Sequence, residues 1–222
     1  MNPLSSFNMD RHQRVVVDTA SQPWLASPSA GVWRIPLERE VAESGQVTSL
    51  VRYDPNTHFP AHFHPNGEEI FVIDGIFQDE YGCYPAGTYI RNPPGSCHAP
   101  GSDGGCLLYV KLNMFPEHDA EVFRLDTHNA MWQPGIDNRL STLPLHGYGQ
   151  EKTILLKWQP DSAFSLHQHD GGEEIFILSG DFYDEQGHYE RGTWIRYPAG
   201  SSHQPSTKNG CLMLIKTGHL PL

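Results

Sequence analysis

The sequence has few cysteines, no long hydrophobic run and no targeting segment, and each shortage excludes a class of protein. No stretch approaches the roughly 18 consecutive apolar residues that a membrane-spanning helix needs, and the N-terminus lacks the apolar core of a signal peptide. We therefore expect a cytoplasmic protein with no membrane partner. The cysteines form no Cys-x-x-Cys pair, and we expect reduced, mostly buried thiols at Cys83, Cys97, Cys106 and Cys211.

Positive charge is also scarce. The 222 residues hold 15 Lys and Arg against 26 Asp and Glu, a net charge of −11, which repels phosphate, so we expect no direct nucleic-acid partner. No window keeps a 3.6-residue hydrophobic period, whereas 21 Gly and 18 Pro separate short apolar runs. This pattern is typical of short strands and turns, and it predicts an all-β protein.

The chain contains an internal duplication. Residues 48–111 align without a gap with residues 153–216, and about 30 of the 64 pairs are identical. Upstream, Trp24 matches Trp132 at an offset of 108 residues instead of 105. We predict an N-terminal arm at 1–23, a first domain at 24–115, a linker at 116–131 and a second domain at 132–222. Each domain is expected to be an antiparallel sandwich or barrel of about eight strands.

The two segments outside the repeats carry weaker signals. Residues 1–23 either pair with a sheet edge or are disordered, and the general behaviour of chain termini favours partial disorder. Residues 116–131 are polar and short, and we interpret them as a linker with at most a helical turn or two.

Histidine is abundant, with 13 residues, and four repeated positions suggest a metal site. His62 and His64 lie two apart and share one face of a strand, while a turn brings Glu68 onto the neighbouring strand and His98 follows on a later one. Nitrogen and oxygen ligands of this kind suit Zn, Fe(II), Mn, Ni or Cu. Both copies retain the full set, so two occupied sites are expected: His62, His64, Glu68, His98 in the first and His167, His169, Glu173, His203 in the second.

The neighbouring repeated charges have two interpretations. Glu69 and Glu174 are one residue out of phase with the candidate ligands and should face outside the barrel or the contact between the domains. Arg91 and Arg196 either bind substrate or form salt bridges to those glutamates. Cys97, Cys106 and Cys211 are interpreted as buried thiols in preference to oxidant sensors.

The motifs H-x-H-x3-E-x6-G and G-x5-P-x-G-x2-H occur in both repeats and resemble the two signature motifs of cupins. The wider pattern from Gly67 to Cys106 is similar to the ChrR-type cupin, the sensory half of zinc-dependent anti-sigma factors. This resemblance implies two tandem jelly-roll β-barrels with one divalent metal in each. Zn is the expected metal, with Fe, Mn and Ni as alternatives, and a sigma factor is the implied partner. Full anti-sigma factors also carry an N-terminal His-x3-Cys-x2-Cys zinc domain, and residues 1–23 contain no cysteine.

Two functions follow from these expectations. The first is a zinc-binding sensory or regulatory module, lacking the sigma-binding zinc domain, that responds to a small molecule or oxidant. The alternative is a non-haem Fe(II) dioxygenase that cleaves a small diketone-like or aromatic substrate, in which the metal keeps open positions. We favour the sensory module from the pattern, assign no catalytic residue, and leave open a homodimer as a further assembly.

Overall fold

The structure, a computed structural model, describes residues 6–41, 44–135 and 137–221, which fall into two compact units. The first unit consists of the described part of Met1–Met9 and of Pro23–Ala130. The second consists of Asp10–Gln22 and the described part of Met131–Leu222. No helix among the described residues is long and apolar enough to span a membrane.

The first unit is an antiparallel β-structure. A ten-stranded sheet has the path β13-β9-β7-β12-β4-β3-β2, with β5, β8 and β11 attached at its side, and β6 pairs with β10 separately. Its strands are β2 (Leu25–Ala26), β3 (Val32–Arg39), β4 (Val47–Tyr53), β5 (Thr57–His58), β6 (His62–Phe63), β7 (Glu68–Asp79), β8 (Gly82–Pro85), β9 (Thr88–Asn92), β10 (Cys97–His98), β11 (Gly101–Ser102), β12 (Cys106–Leu112) and β13 (Phe123–Asp126).

The second unit repeats this arrangement. Its ten-stranded sheet has the path β1-β21-β19-β24-β16-β15-β14, and β18 pairs with β22. One 3-10 turn, Thr19–Ser21, follows β1. The strands are β1 (Val15–Asp18), β14 (Gln133–Pro134), β15 (Leu140–Tyr148), β16 (Glu151–Trp158), β17 (Ser162–Ala163), β18 (His167–His169), β19 (Glu173–Asp184), β20 (Gly187–Glu190), β21 (Thr193–Tyr197), β22 (Ser201–His203), β23 (Ser206–Thr207) and β24 (Cys211–Thr217).

Each unit has its own apolar core between the faces of its strands. Val72, Ile90 and Leu108 are buried in the first core, and Ile177 and Met213 are buried in the second. Residues two apart along β4 and β12 share the inner face, as the alternation of a strand requires. The predicted all-β fold with two tandem barrels is confirmed.

The glycine that ends the first signature motif is required by the conformation of the backbone. Gly75 has a φ of 72° and lies in β7 beside a register shift in its pairing with β12. An added Cβ there would collide with the carbonyl oxygen of Gly105, so neither the conformation nor the space allows another residue. The strand therefore bends at a position that the repeat retains as Gly180, which has a φ of 81°.

The segment between the repeats differs from the expected linker. Phe123–Asp126 form β13, which pairs with β9 of the first unit through Phe123 and Arg91. Their alternating apolar and polar residues fit an edge strand, and pairing satisfies the backbone groups that β9 would otherwise expose. The interpretation of this segment as a polar linker with a helical turn is therefore wrong at these residues.

The N-terminal arm forms the equivalent strand of the other unit. Val15–Asp18 pair with β21, and Val15 lies opposite Arg196, the counterpart of Arg91. The sheet-edge alternative thus holds for β1, while residues 1–5 lie outside the described residues. Each strand precedes its own repeat in sequence and completes the sheet of the other unit.

Candidate metal centres

Three histidines of the first unit converge because two strands place them opposite each other. His62 in β6 is the direct register partner of His98 in β10, and His64 follows two residues after His62. The ring centroids lie 5.2 Å apart for His62 and His98 and 4.7 Å apart for His64 and His98. One ring nitrogen from each histidine lies within 4.8 Å of the others, which is close enough for one ion to contact all three.

Glu68 adds a carboxylate to these imidazoles. It begins β7, and its Oε2 lies 3.5 Å from Nε2 of His64 and 3.5 Å from Nε2 of His98. The side-chain amide of Asn92 donates to the same oxygen at 2.8 Å and fixes the carboxylate. The turn thus delivers Glu68 to the histidines as the sequence predicts.

Contacts made by the Nδ1 atoms orient the imidazole rings of the first site. Nδ1 of His62 donates to the carbonyl oxygen of Pro60 at 3.3 Å, and Nδ1 of His64 lies 3.2 Å from Oγ of Ser96. Nδ1 of His98 lies 3.3 Å from Oδ2 of Asp79. These contacts leave the Nε2 atoms directed toward the centre of the cluster, in the manner of metal-binding histidines whose other nitrogen is hydrogen-bonded.

Buried nitrogens without partners test whether this cluster fits a metal. Nε2 of His64 and Nε2 of His98 are buried and have no hydrogen-bond partner among the described residues. An unsatisfied buried nitrogen costs free energy, whereas a lone pair directed at a cation is satisfied. The donor set of three imidazoles and one carboxylate therefore fits a divalent transition metal.

The second site repeats the arrangement more tightly. His167 lies opposite His203 in the pairing of β18 with β22, and Nδ1 of His167 donates to the carbonyl oxygen of Ser165 at 2.9 Å. Nε2 of His203 lies 3.0 Å from Nε2 of His169 and 3.3 Å from Nε2 of His167. Nitrogens held by one ion at about 2.1 Å stand about 3.0–3.4 Å apart, so these separations fit a shared ion.

Glu173 completes the second set. Its Oε2 lies 3.3 Å from Nε2 of His169 and 3.5 Å from Nε2 of His203, yet it has no hydrogen-bond partner in the described part of the chain. Burial raises the pKa of Glu173 to about 8. Burial and the neighbouring imidazoles lower the pKa of His169 to about 4 and that of His203 to about 3. His169 and His203 are therefore neutral at pH 7, the form that binds metals.

A cavity borders each set of candidate ligands. The first has a volume of about 170 Å³, and its lining includes His62 and Glu68. The second has a volume of about 180 Å³, and its lining includes His167, Glu173 and His203. Each volume corresponds to about five or six water-sized groups. An ion at either site would therefore face space that a small molecule can enter.

All eight predicted ligand residues come together in two groups of four, and their role as metal ligands stays a prediction. The alternative that Arg91 binds substrate is wrong, because Arg91 is fully buried and forms ion pairs with Glu69 at 2.8 Å and Asp119 at 2.6 Å. Cys106 and Cys211 are buried as predicted, whereas Cys83 is exposed, and the structure contains four free cysteines. Burial raises the pKa of the Cys106 thiol to about 11 and that of Cys211 to about 12, which opposes a role as oxidant sensors.

Sequence reasoning missed the residue that orients His98. Asp79 and its repeat partner Asp184 are the last residues of β7 and β19, beside the turns of their hairpins, and the sequence analysis assigns them no role at the site. The identity of the two aspartates in both repeats was the available signal. The contact between Asp79 and His98 can be recognised only when the relative positions of β7 and β10 are known.

Comparisons with known proteins agree with the fold. A family model described as the ChrR cupin-like domain matches residues 12–116 and again residues 120–221. A protein of Nostoc punctiforme named as a candidate dioxygenase is 18% identical with a TM-score of 0.79, over 99% of this chain and 90% of that chain. Protein Ylba of E. coli is 15% identical with a TM-score of 0.73, over 96% of this chain and 94% of that chain.

A third similar structure is the formate complex of Lactobacillus farciminis oxalate decarboxylase. It is 12% identical with a TM-score of 0.65, over 93% of this chain and 86% of that chain. No curated protein matches the sequence at a significant level. At these identities the structural likeness shows the shared fold alone.

Proposed function

The chain belongs to the ChrR cupin-like family in two tandem copies, and from this premise we propose that it is a metal-dependent enzyme acting on a small organic substrate. One observation carries the proposal: in each barrel the candidate glutamate and one or two of the candidate histidines line a cavity instead of being enclosed by protein. Catalytic metal sites keep an open position for substrate, whereas structural sites are closed. This cavity is the reason to prefer the enzyme over the sensory module that the sequence pattern favours.

The proposed reaction class is dioxygenation of a small diketone-like or aromatic molecule. His62, His64, Glu68 and His98 would hold the metal in the first barrel, and their repeat partners would hold it in the second. Bound there, a metal such as Fe(II) supplies Lewis acidity and O2 activation. The similar fold of a protein named as a candidate dioxygenase supports this class without identifying the substrate.

The chain's own residues prepare this site in two ways. Asp79 and Ser96 fix the rings of His98 and His64, so the ligands need little rearrangement when a metal binds. Apolar side chains such as Phe77 and Leu108 form part of the cavity wall and exclude bulk water from the reacting groups.

The experiment is reconstitution followed by O2 uptake. Protein stripped with EDTA is reloaded with Fe(II), Mn(II), Ni(II) or Zn(II) and tested against diketones and small aromatics. We expect O2 uptake with one redox-active metal, and the variants H98A and H203A to show which barrel supplies it. His118→Ala is the matched control, because the His118 side chain is 82% exposed and lies outside both sites. Metal binding without uptake for any of these metals and substrates would contradict the proposal.

A zinc-dependent sensory module is the second candidate, favoured by the description of the matching family. In that case zinc would hold each barrel together, a small molecule or oxidant would act at the metal, and a sigma factor would be the partner implied by resemblance. Element analysis of protein from its native host separates the candidates. Stoichiometric zinc without O2 uptake favours the sensor, and iron, manganese or nickel favours the enzyme.

A further inference from the structure

The lining of the second cavity is almost entirely apolar. Apart from the three candidate ligands that border it, Thr142 is the one described lining residue whose side chain carries a hydroxyl, an amide or a charge. The other described lining residues are Gly135 and hydrophobic residues such as Leu156, Ile175 and Met213. A cavity of this kind holds water poorly, because a buried water needs about two to four polar partners.

Three aromatic rings of this lining, those of Trp158, Phe164 and Phe182, are in contact and form an aromatic wall. The ring centroid of Trp158 lies 6.4 Å from that of Phe164, at an interplanar angle of 28°, and 6.3 Å from that of Phe182. The ring centroid of Phe164 lies 5.0 Å from that of His167, and the ring centroid of Phe182 lies 6.0 Å from that of His203. The aromatic wall therefore extends from the candidate metal ligands to Trp158.

The volume of the second cavity suits a single ring. It is about 180 Å³, whereas an engineered apolar cavity of about 150 Å³ is large enough to bind benzene. Aromatic rings also attract one another in offset or edge-to-face contacts, which adds to the gain from burying their area. A molecule with one aromatic ring and a short substituent therefore matches both the size of the cavity and the chemistry of the aromatic wall.

The first cavity has an equivalent ring but a more polar lining. Phe59 and Phe164 donate equivalent backbone hydrogen bonds, to the carbonyl oxygens of Pro100 at 2.8 Å and Pro205 at 2.9 Å, and each lines the cavity of its own barrel. The first cavity is also lined by polar or charged residues at six positions outside its candidate ligands: Arg34, Arg39, Ser44, Ser49, Tyr53 and Asn113. An apolar ring gains less free energy against such groups than against hydrocarbon, because it offers them no hydrogen bond.

We infer that the second barrel binds an uncharged molecule with a single aromatic ring, which packs against Trp158, Phe164 and Phe182 beside the candidate metal ligands. A charged ligand is disfavoured, because the described lining offers no lysine or arginine to pair with an anion and burial of an unpaired charge is costly. The inference rests on the proposed function in taking the end of the cavity at His167 and His203 as the reacting end. Of the two substrate classes proposed above, it assigns the aromatic one to the second barrel.

The test measures the binding of toluene and benzoate to the full chain by calorimetry. Both probes have the same ring, but benzoate carries a charge. In metal-free protein we expect one toluene per chain, bound about tenfold or more tightly than benzoate. Zinc-loaded protein should bind toluene as well, because the ring lies beside the candidate ligands and not among them.

The equivalent phenylalanines of the two barrels provide a matched pair of variants. Phe164→Leu keeps an apolar side chain but removes one ring from the aromatic wall, and it should weaken toluene binding about tenfold. Phe59→Leu makes the same change in the first barrel and should leave toluene binding unchanged. Equal losses in the two variants would overturn the inference.

Methionine methyl signals locate the ligand without any variant in the aromatic wall. Met213 lines the second cavity and is fully buried, whereas Met131 is 87% exposed. In protein labelled with carbon-13 at its methionine methyl groups, the ring of bound toluene should shift the NMR signal of Met213 and leave that of Met131 unchanged. Met213→Leu identifies the signal. The inference is overturned if toluene does not bind in either form of the protein, if benzoate binds as tightly, or if the Met213 signal does not move.

O2 uptake separates this inference from the proposed function. If toluene binds and shifts the Met213 signal while no metal supports O2 uptake, the aromatic site stands and the enzyme does not. If O2 uptake is found while toluene leaves the Met213 signal unchanged, only the aromatic site fails.

Discussion

Nδ1 of His98 lies 3.3 Å from Oδ2 of Asp79, and the second barrel has no equivalent contact among its described residues. There Asp184 accepts hydrogen bonds from Tyr197 at 2.6 Å, Arg14 at 2.9 Å and Tyr189 at 3.0 Å. Nδ1 of His203 has no hydrogen-bond partner in the described chain. Two sites with identical candidate ligands therefore differ in the groups that contact those ligands.

This difference predicts unequal effects of removing the two carboxylates. A carboxylate that holds the second nitrogen of a ligand histidine raises its basicity and fixes its ring, so Asp79→Asn should weaken metal binding at the first site about 10- to 100-fold. Asp184→Asn should leave the affinity of the second site within a few-fold of wild type. Titration against a chelator of known affinity measures both sites. Equal losses in the two variants would show that the Asp79 contact has no special role.

Metal binding at the second site should release a proton from Glu173. With a pKa raised to about 8 by burial, Glu173 is mostly protonated at pH 7 and must lose that proton to bind a cation. His169 and His203 are already neutral at that pH. Calorimetry in buffers of different ionisation enthalpy should therefore show up to about one proton fewer released for Glu173→Gln than for wild type. Identical release in both proteins would contradict the assignment.

The sequence predicts which side chains converge at each candidate site because much of their geometry is local. His62 and His64 are neighbours on one strand, and the turn at Gly67 places Glu68 beside them, so periodicity and turn chemistry suffice. His98 was harder to place, since its position depends on a pairing with β6 across more than thirty residues. Its retention in both repeats compensated for that distance.

The exchanged outer strands could not be predicted in the same way. β1 and β13 have only four residues each, and their partners β21 and β9 belong to distant parts of the chain. The one sequence signal is an Asp-Thr pair that ends both strands, at Asp18 and Asp126. Thr19 and Thr127 donate to the carbonyl oxygens of Gly192 and Gly87 at 2.7 and 2.6 Å. Two matched residues are too few to be recognised before the partner strands are known.

The stability of the metal-free second unit should fall as the solution becomes acidic. The folded pKa values of His169 and His203 are lowered, to about 4 and about 3, from an unfolded value near 6.5, so the unfolded chain binds more protons in that interval. Their contribution to the free energy of unfolding is complete above pH 6.5 and is lost as the pH falls toward 3. Urea unfolding at pH 7, 6, 5 and 4 should show a shallower decline for His203→Gln than for wild type. Parallel declines would mean that His203 does not titrate between the two states.

The opposite dependence is expected from Glu173 in the same metal-free unit. Its folded pKa is raised to about 8 from an ordinary value of 4.5, so the folded state binds more protons between these values. The contribution of Glu173 to the free energy of unfolding is complete below pH 4.5 and is lost as the pH rises through 8. Glu173→Gln should therefore flatten the alkaline side of the profile of the metal-free unit. A steeper alkaline decline in the variant would reverse the sign and exclude this account.

Arg14 should secure the N-terminal strand to the second unit. Its guanidinium donates to Asp184 at 2.9 Å and lies 5.0 Å from the ring centroid of Tyr197, while the strand that follows it pairs with β21. Hydrogen bonds to charged groups contribute about 1.5–3 kcal/mol, so Arg14→Ala should lower the free energy of unfolding of this unit by about that amount. Arg191→Ala, at an exposed site, is the matched control. Hydrogen exchange should show faster exchange at Ile195 in β21 and no change at Ile90 in β9. Equal acceleration at both would mean that Arg14 does not act through its own sheet.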